Sequence, residues 1–289
     1  MVNIDKLLQG SIDMHLHCGP DSFVLRRVDA AEAARQAQQM GMKAIVLKNH
    51  HYPTVPLATT VKQLVPEINV FGSICLDYEI GGLNSYALES SASMGAKMVW
   101  MPTISSANSR LKMRQLTHMK LEGDGLSILN DDSRLVPEMD GILALVKRYN
   151  MVLATGHMSP AEIFALVERA HAMGIGKLVI THPVLEDVME KILSLEDQQR
   201  LVQMGAVIEH TYVDFLPNQG RKDPLHMAEA IRSVGVEHCI ITTDLGQHPN
   251  PPPAEGMRMF IALLLRMDFN EKEIEIMARV NPARLLDLE

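Results

Sequence analysis

Cysteine is scarce in this sequence, and long apolar runs are missing. Only Cys18, Cys75 and Cys239 occur among 289 residues, without regular spacing. That excludes a disulfide framework and points to a reducing compartment. No stretch approaches about eighteen uninterrupted apolar residues, so no transmembrane helix is expected. The opening residues, Met1 to Gly10, place Asp5 and Lys6 among scattered apolar side chains, which does not read as a signal peptide. Positive charge is also short. Lys and Arg total 27 against 35 Asp and Glu, a formal net charge of −8. Such a balance argues against nucleic acid or a membrane surface as partner, because neither polyanion would attract the chain. No glycine-rich phosphate loop follows an early strand, which weighs against an open nucleotide-binding sheet. No linker or low-complexity segment divides the chain; Pro249, Pro251, Pro252 and Pro253 form a local rigid loop. The expectation is a soluble, cytoplasmic protein of one domain, residues 1–289, acting on a small molecule. Its 47% hydrophobic residues suffice for a large core.

What is present is an alternation. Apolar runs that read as strands fall at 11–17, 43–50, 69–76, 97–103, 151–157, 177–182, 206–212 and 239–244. Between them, apolar residues recur at three- and four-residue steps in 29–40, 137–149, 160–173, 195–204 and 224–234. Ser159 before Pro160, Ser194 before Leu195 and Asp223 before Pro224 are good helix caps, and Gly41, Gly174, Gly205 and Gly235 good stops. Strands alternating with helices imply right-handed βαβ units and a parallel sheet. Eight units at roughly thirty-residue spacing predict a (β/α)8 TIM barrel. The rhythm breaks after the fourth strand, where extra residues run from Ile104 to Leu135. Within them, 127–136 reads as two short strands around an Asn130-Asp131-Asp132 turn. This hairpin-like insertion would be either a substrate-covering flap or a decoration.

The chemistry starts in the first strand, Asp13-Met14-His15-Leu16-His17. Side chains alternate along a strand, so Asp13, His15 and His17 share one face. Two imidazoles so placed can chelate one metal ion. The fifth strand run ends at His157, the sixth at His182 and the eighth at Asp244. Four histidines and a carboxylate at strand ends are costly to bury unless paired or coordinated, so their convergence points to a cation.

In these residues the sequence resembles the amidohydrolase superfamily of metal-dependent hydrolases. The closing Asn281-Pro282-Ala283-Arg284-Leu285-Leu286 is similar to the last helix of many members. Gly19-Pro20-Asp21, together with Lys48-Asn49-His50, resembles bacterial members. The resemblance implies that His15, His17 and Asp244 hold the more buried metal and that His157 and His182 hold a second. It also implies that Asp244 takes a proton from the attacking water.

There is a departure. Two-metal members usually bridge their ions with a carbamylated lysine or a glutamate on the fourth strand, and here Met98-Val99-Trp100-Met101-Pro102-Thr103 offers neither. A carbamylated Lys48 on the second strand is a candidate bridge. An unmodified Lys48 would instead bind an anionic substrate or pair with Asp244 or Glu79. Without a bridge, a one-metal site remains workable, with His182 serving substrate or transition state. Zinc is the expected ion, although these ligand types also suit manganese, iron or nickel. His210, Arg26 and Arg110 are candidate substrate contacts, and Arg27 and Arg221 weaker ones. His50, His51 and His118 fall in expected loops. Cys18 points away from the strand's polar face, and the twenty methionines read as packing. The expected activity is hydrolysis of an amide, ester, lactone or similar bond; the alternative is a metal-dependent decarboxylase or lyase. A non-catalytic scaffold would be expected to have lost ligands. Self-association into a homo-oligomer is expected by analogy with related barrels.

Overall fold

The computed structural model describes residues 3–116, 123–217 and 221–288. All eight expected strands form: β1 Ile12–His17, β2 Ala44–Lys48, β3 Asn69–Cys75, β4 Met98–Trp100, β5 Val152–Ala154, β6 Leu178–Ile180, β7 Ala206–Thr211 and β8 Cys239–Thr242. They lie in one sheet in chain order. Pairing is parallel from β1–β2 through β6–β7. The end of β8 returns to β1, where Leu245 bridges Leu16 in parallel. This is the strand order of a (β/α)8 barrel. The α-helices are α1 Ile4–Leu8, α2 Ala30–Gln39, α3 Val55–Leu64, α4 Ser85–Ser93, α5 Ala107–Leu116, α6 Glu138–Arg148, α7 Pro160–Ala172, α8 Leu195–Gln203, α9 Pro224–Val234, α10 Pro253–Arg266, α11 Glu271–Glu275 and α12 Asn281–Leu286. None of them is long and apolar enough to cross a membrane.

The chain forms two compact units. One comprises Met1–Asn49, Thr54–Gly72 and Glu209–Glu289; the other comprises His50–Pro53 and Ser73–Ile208. In the first unit, α2 starts where the Asp29 carboxylate accepts the Glu32 N–H, and it buries the stripe Ala30, Ala33, Ala34 and Ala37. At the other end of the chain, Asn281 donates from its amide to the carbonyls of Val236 and Cys239, 2.9 and 2.7 Å away. The last helix thereby fixes the entry of β8. In the second unit, Ser159 and Glu162 form a reciprocal cap on α7, which buries Ile163, Leu166, Val167 and Ala170.

Strands β5, β6 and β8 stop short of the runs expected from sequence, before His157, His182 and Asp244 respectively. Gly156 (φ +58°), His182 (φ +46°) and Asp244 (φ +50°) take left-handed backbone, which no strand continues.

The segment after β4 differs from expectation. Its first part forms α5, which the apolar spacing did not suggest. Within 127–136 the two arms are joined by one antiparallel bridge, Leu129 to Leu135, with Asn130 N–H donating to the Arg134 carbonyl and Val136 N–H to the Ile128 carbonyl, both at 2.9 Å. Side chains take further backbone groups of this stretch. Asn130 Oδ1 accepts the N–H groups of Asp132 and Arg134, and Glu162 Oε1 accepts from Ile128 N–H and the Ser127 hydroxyl. Ile128 is fully buried, so this stretch is tied down onto α7. Residues 117–122 of the insertion lie outside the described residues, and His118 with them.

Candidate metal centre

The backbone pairing of β1 with the end of β8 sets the first site. Asp244 N–H donates to the His15 carbonyl and His17 N–H to the Leu245 carbonyl, both at 2.7 Å. Three buried side-chain atoms then converge. His15 Nε2 is 3.0 Å and His17 Nε2 2.9 Å from the same oxygen, Asp244 Oδ1. The far nitrogen of His15 is also committed: Nδ1 lies 3.0 Å from Glu209 Oε1 on β7, which also accepts the Thr242 hydroxyl at 2.8 Å. A carboxylate only accepts, so Nδ1 carries the proton and a neutral His15 turns the lone pair of Nε2 toward Asp244. Two electron-rich atoms held that close call for a cation between or beside them. Lys48 Nζ stands 3.0 Å from His15 Nε2. The donor set of His15, His17 and Asp244 fits a divalent metal by atom type and by convergence, with Glu209 orienting His15 from behind.

Electrostatics agree. Burial alone would lower the His15 pKa, but the Asp244 carboxylate outweighs it together with Glu209 and against Lys48, so the net shift is upward. The site therefore favours positive charge at its centre. Asp13 braces it. Its carboxylate accepts the N–H of His15 at 3.2 Å and of Thr243 at 3.1 Å, plus the Thr243 hydroxyl. Burial pushes the Asp13 carboxyl up to about 7, against those hydrogen bonds. Gly246 completes the cradle. A Cβ there would sit 2.0 Å from the His17 carbonyl oxygen, so only glycine allows the loop to pass.

The second unit holds its own histidine pair. The rings of His157 and His182 meet at 5.4 Å between centroids, edge to face. Gly156 lets the chain turn into His157, since a Cβ there would meet the Met101 carbonyl at 2.4 Å. This unit also gathers His50, Cys75 and Asp77. Asp77 is already spoken for: Oδ1 accepts from Thr103 and Ser105 N–H, each at 2.9 Å, and Oδ2 lies 3.0 Å from His50 Nδ1. Burial would raise its pKa, yet the His50 hydrogen bond and charge, with those two N–H groups, bring it below the usual carboxylate range. Asp77 is a loop brace that orients His50. Beside it, His51 Nδ1 lies 4.0 Å from Glu79.

Two of the three expected substrate residues, Arg26 and Arg110, are engaged within the protein. Arg26 is bound to Asp21 at 2.6 and 2.9 Å, with its Nη2 3.4 Å from His17 Nδ1. Arg110 lies over the Tyr78 ring and donates to the Ile104 carbonyl. His210 is buried, and its Nε2 has no hydrogen-bond partner among the described residues. Burial lowers its pKa to about 4, against the Glu209 charge. Strand alternation puts it on the face opposite Glu209. Cys18 is buried, which pushes its thiol up to about 12. Sequence reasoning missed Glu209. Its signal was a carboxylate amid the apolar run 206–208, on the parity that meets His15.

Fold and donor set together define a (β/α)8 barrel with a candidate metal centre. The chain belongs to the family of unknown function DUF6282, whose model matches residues 10–209. No curated protein matches it. Among solved structures it is similar to the probable dipeptidase PvdM from Pseudomonas aeruginosa, at 12% identity and a TM-score of 0.66 over 98% of this chain and 96% of that one. It is similar to the lactonase Lmo2620 from Listeria monocytogenes, at 13% identity and a TM-score of 0.60 over 100% and 97%. A 2,6-dihydroxybenzoate decarboxylase from Rhizobium matches at 12% identity and a TM-score of 0.53 over 97% and 99%. At such identities the likeness is one of fold.

Proposed function

We propose that this protein is a metal-dependent hydrolase of small molecules, acting on an amide, ester, lactone or similar bond. The observation that carries this reading is the convergence of His15 Nε2, His17 Nε2 and Asp244 Oδ1, with His15 held in the ligating tautomer by Glu209. A divalent ion bound there, zinc by preference for imidazole and carboxylate, would lower the pKa of coordinated water and polarise the scissile carbonyl. Asp244 receives the proton of the attacking water on its carboxylate and passes it to the leaving group. His15 and His17 hold position, and Glu209 keeps His15 from rotating. His157 and His182 offer two further imidazoles, for a second ion or for the transition state. Lys48 is the candidate for a carbamylated bridge. The three buried free thiols accord with a reducing, cytoplasmic setting. Arg26, Arg110 and His210 are the substrate contacts of this reading, Arg26 and Arg110 by exchanging Asp21 and the Ile104 carbonyl for substrate.

The second reading, a decarboxylase or lyase, rests on β4. Its residues Met98, Val99 and Trp100 supply no bridging ligand, which suits a one-metal site. The test is one panel of esters, lactones, amides and aromatic carboxylates assayed for both hydrolysis and carbon dioxide release, with metal content measured on the same sample. Metal-dependent hydrolysis without carbon dioxide release supports the first reading; carbon dioxide release alone overturns it.

A further inference from the structure

We infer that Ser109, on the first turn of α5, is a positioning residue that fixes His157 as its Nδ1–H tautomer and so makes Nε2 the metal-binding atom. The inference rests on the metal-centre reading above for what Nε2 binds, but on hydrogen bonding alone for the tautomer.

The argument is one of counting protons. Ser109 Oγ lies 2.6 Å from the Val188 carbonyl oxygen and 3.0 Å from His157 Nδ1. A hydroxyl has one proton to give. The Val188 carbonyl can only accept, so it receives that proton. Toward His157 the same oxygen must then accept, and Nδ1 must be the nitrogen that carries hydrogen. In a neutral imidazole the lone pair is left on Nε2. The arrangement parallels Glu209 behind His15, with a hydroxyl in place of a carboxylate.

The same turn grips the backbone of His157. Its carbonyl accepts from Ser106 Oγ at 2.9 Å and from Asn108 Nδ2 at 3.2 Å, while its N–H donates to the Pro102 carbonyl at 3.0 Å. Asn108 also donates to the Lys191 carbonyl and accepts the Lys191 N–H. Ser106 and Ser109 are completely buried. Three side chains within four residues thus hold one histidine by main chain and ring together. Packing alone would not require this. The insertion after β4 earns its place by aiming His157.

The tautomer can be read directly. In metal-free full-length protein with 15N-labelled histidine, ring correlations assigned by the loss of signals in His157→Gln should show His157 protonated on Nδ1. Ser109→Thr, which keeps the hydroxyl, should preserve that pattern. Ser109→Ala should shift it toward the Nε2–H form and weaken zinc binding about tenfold or more. The buried His50, whose Nδ1 lies 3.0 Å from Asp77 Oδ2, serves as an internal control for an intact fold. A His157 already protonated on Nε2 in the parent, or an Ser109→Ala protein with unchanged tautomer and zinc affinity, overturns the inference. Failure of the parent to bind zinc strikes the metal-centre reading instead, because the tautomer measurement is made without metal.

Discussion

Asp244 meets His15 twice: its N–H donates to the His15 carbonyl at 2.7 Å, and its carboxylate oxygen lies 3.0 Å from the His15 Nε2. The sheet hydrogen bond sets the side-chain approach. The donor geometry is therefore a property of how β8 returns to β1, and it exists before any ion arrives. Preorganisation of this kind makes the following outcomes specific.

Asp244→Asn keeps the shape and one oxygen donor but removes the carboxylate that receives a proton. Zinc content should survive while turnover falls by about 10²–10⁴-fold. Metal analysis beside a turnover assay checks this. Zinc retained with turnover undiminished would sink the proposed proton transfer.

Glu209→Gln should act through His15 without touching the ion. The neutral amide is a weaker partner for Nδ1–H, and zinc affinity should drop about 10–100-fold. Competition with a chromogenic chelator gives the number. An unchanged affinity would mean that Glu209 merely fills space.

Gly246→Ala places a methyl carbon against the His17 carbonyl at a backbone angle, φ +139°, that alanine resists. The expected cost is about 1–3 kcal/mol in unfolding free energy, together with weaker metal binding, because His17 must move. Denaturant melts of the zinc-free protein separate the two effects.

The pH dependence of stability carries a signature of His210. Its folded pKa of about 4 lies below the ordinary 6.5, so between those values the unfolded chain holds a proton that the folded one refuses. Stability should therefore be lost as pH falls through that window, by up to about 3 kcal/mol for a fully buried ring. Asp13 works the other way. Its folded pKa of about 7 exceeds the ordinary 3.8, so it favours the fold at low pH and withdraws that support as pH rises. The difference between parent and His210→Gln isolates the first effect. A difference that is flat with pH would show that His210 does not titrate as its burial requires.

How far the sequence reached follows from which signals are local. Strand positions are written in apolar runs, and His15, His17 and Asp244 stand out because charge at the end of such a run is rare. Helix starts at Ser159 and Ser194 were legible because a cap is a short-range contact. Glu209 and Ser109 were not singled out, because their meaning depends on a partner far away in sequence: His15 for one, His157 and Val188 for the other. The antiparallel approach of the arms in 127–136 was legible from the Asn130-Asp131-Asp132 turn, but the side-chain hydrogen bonds of Asn130 and Glu162 around the single bridge were not. Helix α5 was hidden by its composition. Asn108 and Ser109 are poor helix signals, and they are present for what they hold.

Loop grafting between barrels treats each strand-to-helix segment as a cartridge, exchangeable for new specificity while the catalytic residues stay behind on their strands. The turn at Ser106, Asn108 and Ser109 breaks that separation. It follows β4 yet secures the histidine after β5, so a graft of this one segment would carry away part of the histidine's mounting along with the loop. In this barrel, diversification after β4 and retention of a well-aimed His157 would have to be inherited as one trait.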